Sequence, residues 1–271
     1  MNHNTNSPPS FLLLQQEGHL ISACLALGLT KLRVANVHNK GALYSSLLNI
    51  SVGMERLMKA IIIMQYMLTN NLSVPTKKQL KDYGHKITDL YDECVKISIS
   101  NSVNLPKRSL LNKTSQKLLE LLSDFAQTTR YHNLDALSDQ QIGKDPLEYW
   151  SEIMSLILKQ DVPKREKDKI LEVARMNATA IEDMTMTMMQ GLNKKPLTTE
   201  EALALPGLHD EATKYAVLHL IEMLSPIRDL ISELSHSAYD GFSQPPFPQM
   251  QGFLEWIWDD RQHVLGKRKW P

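Results

Sequence analysis

Near its C-terminus the sequence places Arg228, Glu233 and His236 on a stretch that also carries regularly spaced apolar residues. Glu233 and His236 are three residues apart, so on a helix they are neighbours on one face. A histidine in this setting could carry a proton near neutral pH, while an arginine could hold a phosphate or stabilise developing charge. The same residue types are also ordinary on a solvated helix, so both interpretations stay open at this point.

A second cluster, Glu55, Arg56 and Lys59, comes directly before the most apolar run of the chain, residues 60–64. Glu55 and Lys59 have the favourable four-residue order of a helical ion pair. A carboxylate beside a buried run either lies at the margin of the helix or is buried with a partner. Glu55 and Arg56 are therefore candidates for structural pairing or for lining a groove.

The third cluster contains Arg130 and His132, at the point where a helix gives way to a polar loop. Both side chains could meet a phosphate there. Cations in a last helical turn also simply complement the helix dipole.

Several classes of function are excluded by what the sequence lacks. It contains no Walker loop, dinucleotide fingerprint, HExxH or GxSxG motif. Cys24 and Cys94 lie far apart, which indicates neither a disulfide framework nor a zinc site. We therefore expect no metal, no cofactor and a cytoplasmic location.

The chain has a formal net charge of zero, because it contains 30 Lys and Arg residues and 30 Asp and Glu residues. A net charge of zero gives no global field that would gather phosphates, although a local basic patch on one face could override the sum.

The elements that must position these clusters are helices. Apolar residues recur at steps of three and four over residues 41–68, 113–125, 147–158, 164–189 and 209–239. Leucine is frequent and aromatic residues make up only 6%, which favours helix over strand. The sequence therefore predicts an all-α fold, a single multi-helix bundle.

Residues 1–15 have a polar composition that predicts a flexible N-terminal tail, followed by one helical domain over residues 16–271. Pro226 predicts a kink or a break within 209–239. The longest apolar run, residues 60–68, is interrupted by Gln65 and is shorter than a spanning helix needs, so we expect no membrane segment.

Taken together, the clusters resemble those of bacterial HEPN-type helical proteins. The similarity is carried by Met54-Glu55-Arg56-Leu57-Met58-Lys59, by Gly84-His85, and by the segment from Ile227-Arg228-Asp229 to His236. The resemblance implies an all-α bundle, a homodimer, and in many members metal-independent RNA cleavage in toxin–antitoxin or phage-defence systems. Other members of the family are non-catalytic.

The family's active motif is an arginine, a polar residue and then a histidine after four to six intervening residues. Here Arg228-Asp229 matches the start, but seven residues separate Arg228 from His236. Eight steps along a helix put the two Cα atoms roughly 12 Å apart. The two side chains could share a phosphate if Arg228 extends or a partner chain supplies one of them, and they could equally be a remnant.

Two functions follow as hypotheses. In the first, a HEPN-like ribonuclease or RNA-associated factor uses Arg228 as phosphate clamp, His236 as proton carrier and Glu233 to orient the histidine. Its RNA-binding residues would be Glu55, Arg56, Arg130 and His132. In the second, a non-catalytic helical module holds a protein partner through Met184–Met189 and the segment Phe247–Trp258.

Overall fold

The computed structural model describes residues 8–138, 143–242 and 245–271. Within these residues the chain forms ten α-helices and no β-strand, so the predicted all-α bundle is confirmed. The only extended pairing in this part of the chain is an isolated bridge between Gln190 and Pro196.

The helices follow one another along the chain, and the two longest connections precede α9 and α10. Their bounds are α1 Pro9–Leu32, α2 Lys40–Thr69, α3 Lys77–Asp82, α4 Ile87–Ser100, α5 Lys113–Gln127, α6 His132–Leu137, α7 Pro146–Gln160, α8 Lys164–Ile181, α9 Thr199–Gly241 and α10 Arg261–Gly266. Short 3₁₀ turns occupy Arg108–Leu110, Thr129–Tyr131, Glu182–Met184 and Met250–Leu254.

Helix starts are fixed by side chains that accept hydrogen bonds from the first free backbone N–H groups. Asn39, Asn112 and Asp145 do this for α2, α5 and α7. Thr198 and Glu201 form a reciprocal capping box at the start of α9. Each cap of this kind stabilises a helix end by about 1 kcal/mol, so these residues set where the bundle's connections turn.

The closest packing in the bundle is between α1 and α2. A Cβ atom on Gly28 would lie 2.9 Å from the backbone nitrogen of Ile50, and one on Gly53 would lie 2.8 Å from the side chain of Leu25. Glycine at these two positions therefore allows the two backbones to approach each other. Beneath this contact lie fully buried side chains such as Met54.

Helix α9 is the central element and contacts α1, α2, α5, α7, α8 and α10. It runs without interruption through Pro206 and Pro226, so the break considered at Pro226 does not occur. Packing explains the continuity, because Ser225 and Ile227 on either side of Pro226 are buried. Tertiary contacts of this kind outweigh the local cost of a missing backbone donor.

Two further predictions about the elements need correction. Residues 9–15, assigned to the flexible tail, form the first turns of α1, whose N-terminal proline is well suited to a first helical turn. The helix predicted to reach residue 189 ends at Ile181, and the chain beyond the following 3₁₀ turn is extended. Residues 1–7 of the predicted tail, together with residues 139–142 and 243–244, lie outside the described residues.

Candidate functional site

The predicted catalytic residues all lie on the C-terminal part of α9. Glu233 and His236 are exposed, and neither has a hydrogen-bond partner among the described residues. The Arg228 guanidinium donates to the carbonyl oxygen of Ile257 and to Asp229 Oδ1, with an Nη2–Oδ1 distance of 2.7 Å. Arg228 is thus held by its own chain, and the phosphate site remains a prediction from the sequence.

Glu55 and Arg56 lie on α2 at a groove of about 300 Å³ between α1 and α2. Arg56 Nη1 donates to both carboxylate oxygens of Glu17, at 2.8 and 2.7 Å. Glu55 Oε1 accepts from Lys59 Nζ at 2.9 Å and lies 2.8 Å from His85 Nδ1. The hydrogen bond from Arg56 to Glu17 raises the pKa of the guanidinium. The structure therefore supports the structural pairing that was one of the two readings of this cluster.

Arg130 and His132 are close in sequence but face different environments. Arg130 is exposed, with its guanidinium 5.0 Å from the centre of the Tyr131 ring. His132 is buried, and its Nε2 lies 3.7 Å from Oδ2 of the buried Asp145. Burial alone would raise the pKa of Asp145, but hydrogen bonds from Lys194 Nζ and the backbone of residue 147 lower it overall. The structure does not bring Arg130 and His132 into one cleft.

A cavity of about 600 Å³ lies between α4, the 3₁₀ turn at 108–110 and α5. Lys96, Lys107 and Arg108 line it, but so do Asp92 and Glu120. Arg108 is paired with Asp92 at 2.7 Å, so the lining combines both signs of charge and is not a continuous basic surface.

A polar cluster surrounds His219, a buried residue of α9, and no sequence pattern predicts it. His219 Nε2 lies 3.1 Å from Oδ2 of Asp161, which ends α7, and Nδ1 lies 3.3 Å from Asn112 Nδ2 and 3.4 Å from Glu222 Oε2. Burial would lower the histidine's pKa, but hydrogen bonds to Glu222 and Asp161 raise it overall. Asp161 and Asn112 are 58 and 107 residues away from His219, so no local pattern links them.

Protonation decides which contacts His219 makes. In the neutral ring, Nε2–H donates to Asp161 and Nδ1 accepts from Asn112. In the protonated ring, Nδ1–H donates as well, and Glu222 is the available acceptor. The cluster ties the start of α5 and the end of α7 to α9.

The outward face of α1 is the other feature that sequence reasoning missed. Leu13, Leu20 and Leu27 are 62%, 47% and 46% exposed and follow one another at intervals of seven residues. Gln16 and Ala23, also exposed, lie between them. We call these five residues the outer α1 stripe. The seven-residue spacing is present in the sequence, but Leu13 falls within residues 1–15, which the sequence predicts to be a tail.

The inward face of α1 is apolar as well, with Ile21, Leu25 and Leu29 fully buried. Glu17 and Lys31 are the only charged residues in the 24-residue helix, and Glu17 is paired with Arg56. By length and composition α1 is apolar enough to cross a membrane, and 39% of its apolar window is buried inside the bundle.

The two segments expected to hold a protein partner differ from each other. Met184, Met186 and Met188 are exposed, which agrees with a surface role. Most of the large apolar residues in the segment Phe247–Trp258 pack into the bundle, since Phe247 and Ile257 are fully buried and Trp256 Nε1 donates to Ser22 Oγ. Trp258 alone among its large apolar residues is exposed.

Comparison of the chain with protein-family models, with curated proteins and with solved structures finds no match. Among the described residues, no group of three His, Cys, Asp or Glu side chains is placed to hold a metal ion.

Proposed function

We propose that this chain is a non-catalytic interaction module that binds a helical segment of a protein along the outer α1 stripe. The observation that carries the proposal is the exposure of Leu13, Leu20 and Leu27 on a helix whose opposite face is already packed in the core. A helix that carries apolar side chains on its outward face as well as on its inward face is typical of one covered on both faces. Clustered exposed apolar side chains mark interaction surfaces.

The spacing of the stripe favours a helix as the bound element. Helices that pair along their length present apolar side chains every three and four residues, which repeats every seven. Leu13, Leu20, Ala23 and Leu27 occupy four positions of this pattern, and the polar Gln16 occupies the fifth. The partner helix would place its own apolar side chains between the three leucines.

The geometry supports this function better than RNA cleavage. Arg228 is bonded within its own chain, and Glu233 and His236 lie on an open helix face. The cavities of about 600 and 300 Å³ are lined by other residues.

The test uses a fluorescein-labelled amphipathic peptide of the same length as α1, with leucine on one face and lysine and glutamate on the other. Fluorescence anisotropy should show saturable binding to the wild type. Leu20→Glu should weaken binding at least about tenfold, because the substitution places a carboxylate at the centre of the contact. Leu110→Glu is the matched control, since Leu110 is exposed on another element, and it should bind as the wild type does.

A peptide of the same composition with its leucines spread around the helix should not bind. Equal binding of both peptides, or binding that Leu20→Glu leaves unchanged, would contradict the proposal.

A further inference from the structure

We propose that Arg33 and Arg268 hold a phosphate group where the C-terminal end of α1 meets α9 and residues 267–270. The site is separate from the outer α1 stripe and is independent of the proposed function. It is carried by a buried arginine that has no carboxylate partner among the described residues, and by exposed cations that the fold places beside it.

Arg33 is a buried cation whose hydrogen bonds go to neutral acceptors. The residue is 8% exposed. Its Nε donates to the carbonyl oxygen of Lys267 at 3.0 Å, and its Nη1 donates to the backbone carbonyl of Asp210 at 3.4 Å and to Thr213 Oγ1 at 3.3 Å. Within the described part of the chain, Nη2 has no hydrogen-bond partner. Because a buried charge is normally paired with an opposite charge, this guanidinium is suited to binding an anion.

A segment anchored at both ends places further cations beside this guanidinium. Lys267 accepts the bond described above, and Trp270, which is 3% exposed, donates its backbone N–H to Thr30 Oγ1 at 2.9 Å. Arg268 and Lys269 lie between these two anchors and are exposed. Neighbouring Cα atoms are about 3.8 Å apart, so the backbone of Arg268 lies next to the carbonyl that the buried guanidinium contacts.

The charges around Arg33 do not cancel. Burial and the charge of Arg268 lower the pKa of Arg33, and the charges of Asp210 and Glu211 act in the opposite direction without reversing the shift. Arg56, by contrast, contacts a carboxylate at 2.7 Å. A phosphate group supplies negative charge together with several acceptor oxygens, which match the planar set of donors that an arginine presents.

Isothermal titration calorimetry with sodium pyrophosphate at constant ionic strength tests the site. The wild type should bind one equivalent. Replacing Arg268 and Lys269 together by glutamine should weaken binding at least about tenfold, the loss that corresponds to one hydrogen bond to a charged group. The matched control replaces Lys77 and Lys78 by glutamine, which changes the net charge equally at exposed positions of α3, and it should bind as the wild type does.

A second variant tests the buried guanidinium itself. Arg33→Met keeps a long unbranched side chain, removes the charge and should abolish pyrophosphate binding, with circular dichroism to check that the variant folds. Arg33→Lys keeps the charge and loses the planar donors, so it should bind at least about tenfold more weakly than the wild type. Amide NMR signals of residues 267–270 should shift when pyrophosphate is added to the wild type.

Vesicles distinguish two sources of the phosphate group. Phosphatidylcholine vesicles that contain phosphatidate present the group on a membrane surface. Binding of pyrophosphate without sedimentation on these vesicles would identify a soluble ligand, whereas sedimentation that is lost when Arg268 and Lys269 are replaced would identify a lipid headgroup. The phosphate site is wrong if the wild type binds neither probe, or if the control on α3 weakens binding as much as the replacement of Arg268 and Lys269. Binding of the amphipathic peptide is measured separately, so either result leaves the test of the proposed function unchanged.

Discussion

Helices α1 and α8 both lie at the edge of the bundle, yet their outward faces differ in character. Eight of the 18 residues of α8 are charged, and Ala174 is its one buried residue. Two of the 24 residues of α1 are charged, and its outward face carries three exposed leucines. A charged outward face is well solvated and is stable when exposed to water. An apolar outward face is stabilised when a binding partner removes it from water.

The two helices are also anchored differently. The inward face of α1 packs through Gly28 and through fully buried leucines against α2. The turn that leads into α8 is held by polar contacts, because Lys167 Nζ donates to the carbonyl of Leu158 and His219 binds Asp161. We therefore expect stability at α1 to depend on side-chain volume at its contact with α2. We expect stability at the start of α8 to depend on pH.

The largest effect is expected from Gly28→Leu on the inward face of α1. Its Cβ would lie 2.9 Å from the backbone nitrogen of Ile50, so the two helices must separate. Overpacking of this kind costs about 3 kcal/mol. The higher helix propensity of leucine offsets about 1 kcal/mol. Urea unfolding should therefore show a net loss of about 2 kcal/mol in the free energy of unfolding.

Gly41→Leu on α2 is the matched control, because a Cβ there meets nothing within 4 Å. It makes the same change in helix propensity without the close contact, so its stability should be equal to or slightly above that of the wild type. Equal losses in the two variants would show that α1 and α2 are not as closely packed as described.

A smaller and pH-dependent effect is expected from His219→Gln. The contacts to Asp161 and Glu222 raise the pKa of His219 above its ordinary value of 6.5. A group with a raised pKa stabilises the folded state fully below the ordinary pKa and loses that contribution as the pH rises through the raised value. Below pH 6.5 the variant should be less stable than the wild type by about 1.5 kcal/mol, the lower end of the range for a hydrogen bond to a charged group.

The difference between His219→Gln and the wild type should shrink as the pH rises, measured as urea unfolding free energies across the pH series. After correction for the intrinsic pH dependence of amide exchange, the protection of amides at the start of α8 should fall over the same interval, while the protection of amides in α1 should not change. A stability difference that grows with pH would mean that His219 is neutral in the folded protein.

The fold was largely predictable because helical periodicity is a local property of the sequence. The predicted helices at 41–68, 113–125 and 147–158 agree with α2, α5 and α7 to within a few residues. The errors arose where contacts between residues far apart in the sequence determine the local structure. The continuity of α9 through Pro226 depends on packing from several helices, which periodicity cannot report.

The contacts of the candidate site residues were less predictable, because the fold brings together side chains that are far apart in the sequence. Glu55 pairs with His85 and Arg56 with Glu17, partners that are 30 and 39 residues away. The contact of Arg228 with the carbonyl of Ile257 likewise has no signature in the sequence. The outer α1 stripe is the exception, since its seven-residue spacing can be recognised in the sequence. Only the solvent exposure of its leucines is a finding of the structure.

The smallest effect is expected from His236→Ala, which also decides between the two functions. His236 is exposed, so its removal should change the free energy of unfolding by less than about 0.5 kcal/mol. If the chain is an interaction module, neither the wild type nor the variant should cleave single-stranded RNA in buffer containing EDTA, as measured by gel electrophoresis. Metal-independent cleavage would use the RNA 2′-hydroxyl as nucleophile, so 2′-O-methyl RNA is the control for chemistry of that kind. The non-catalytic function would be overturned if the wild type cleaves RNA and cleavage is lost both in His236→Ala and with the 2′-O-methyl substrate. That result would place the chemistry on the charged outward face of α9 and not on the apolar face of α1.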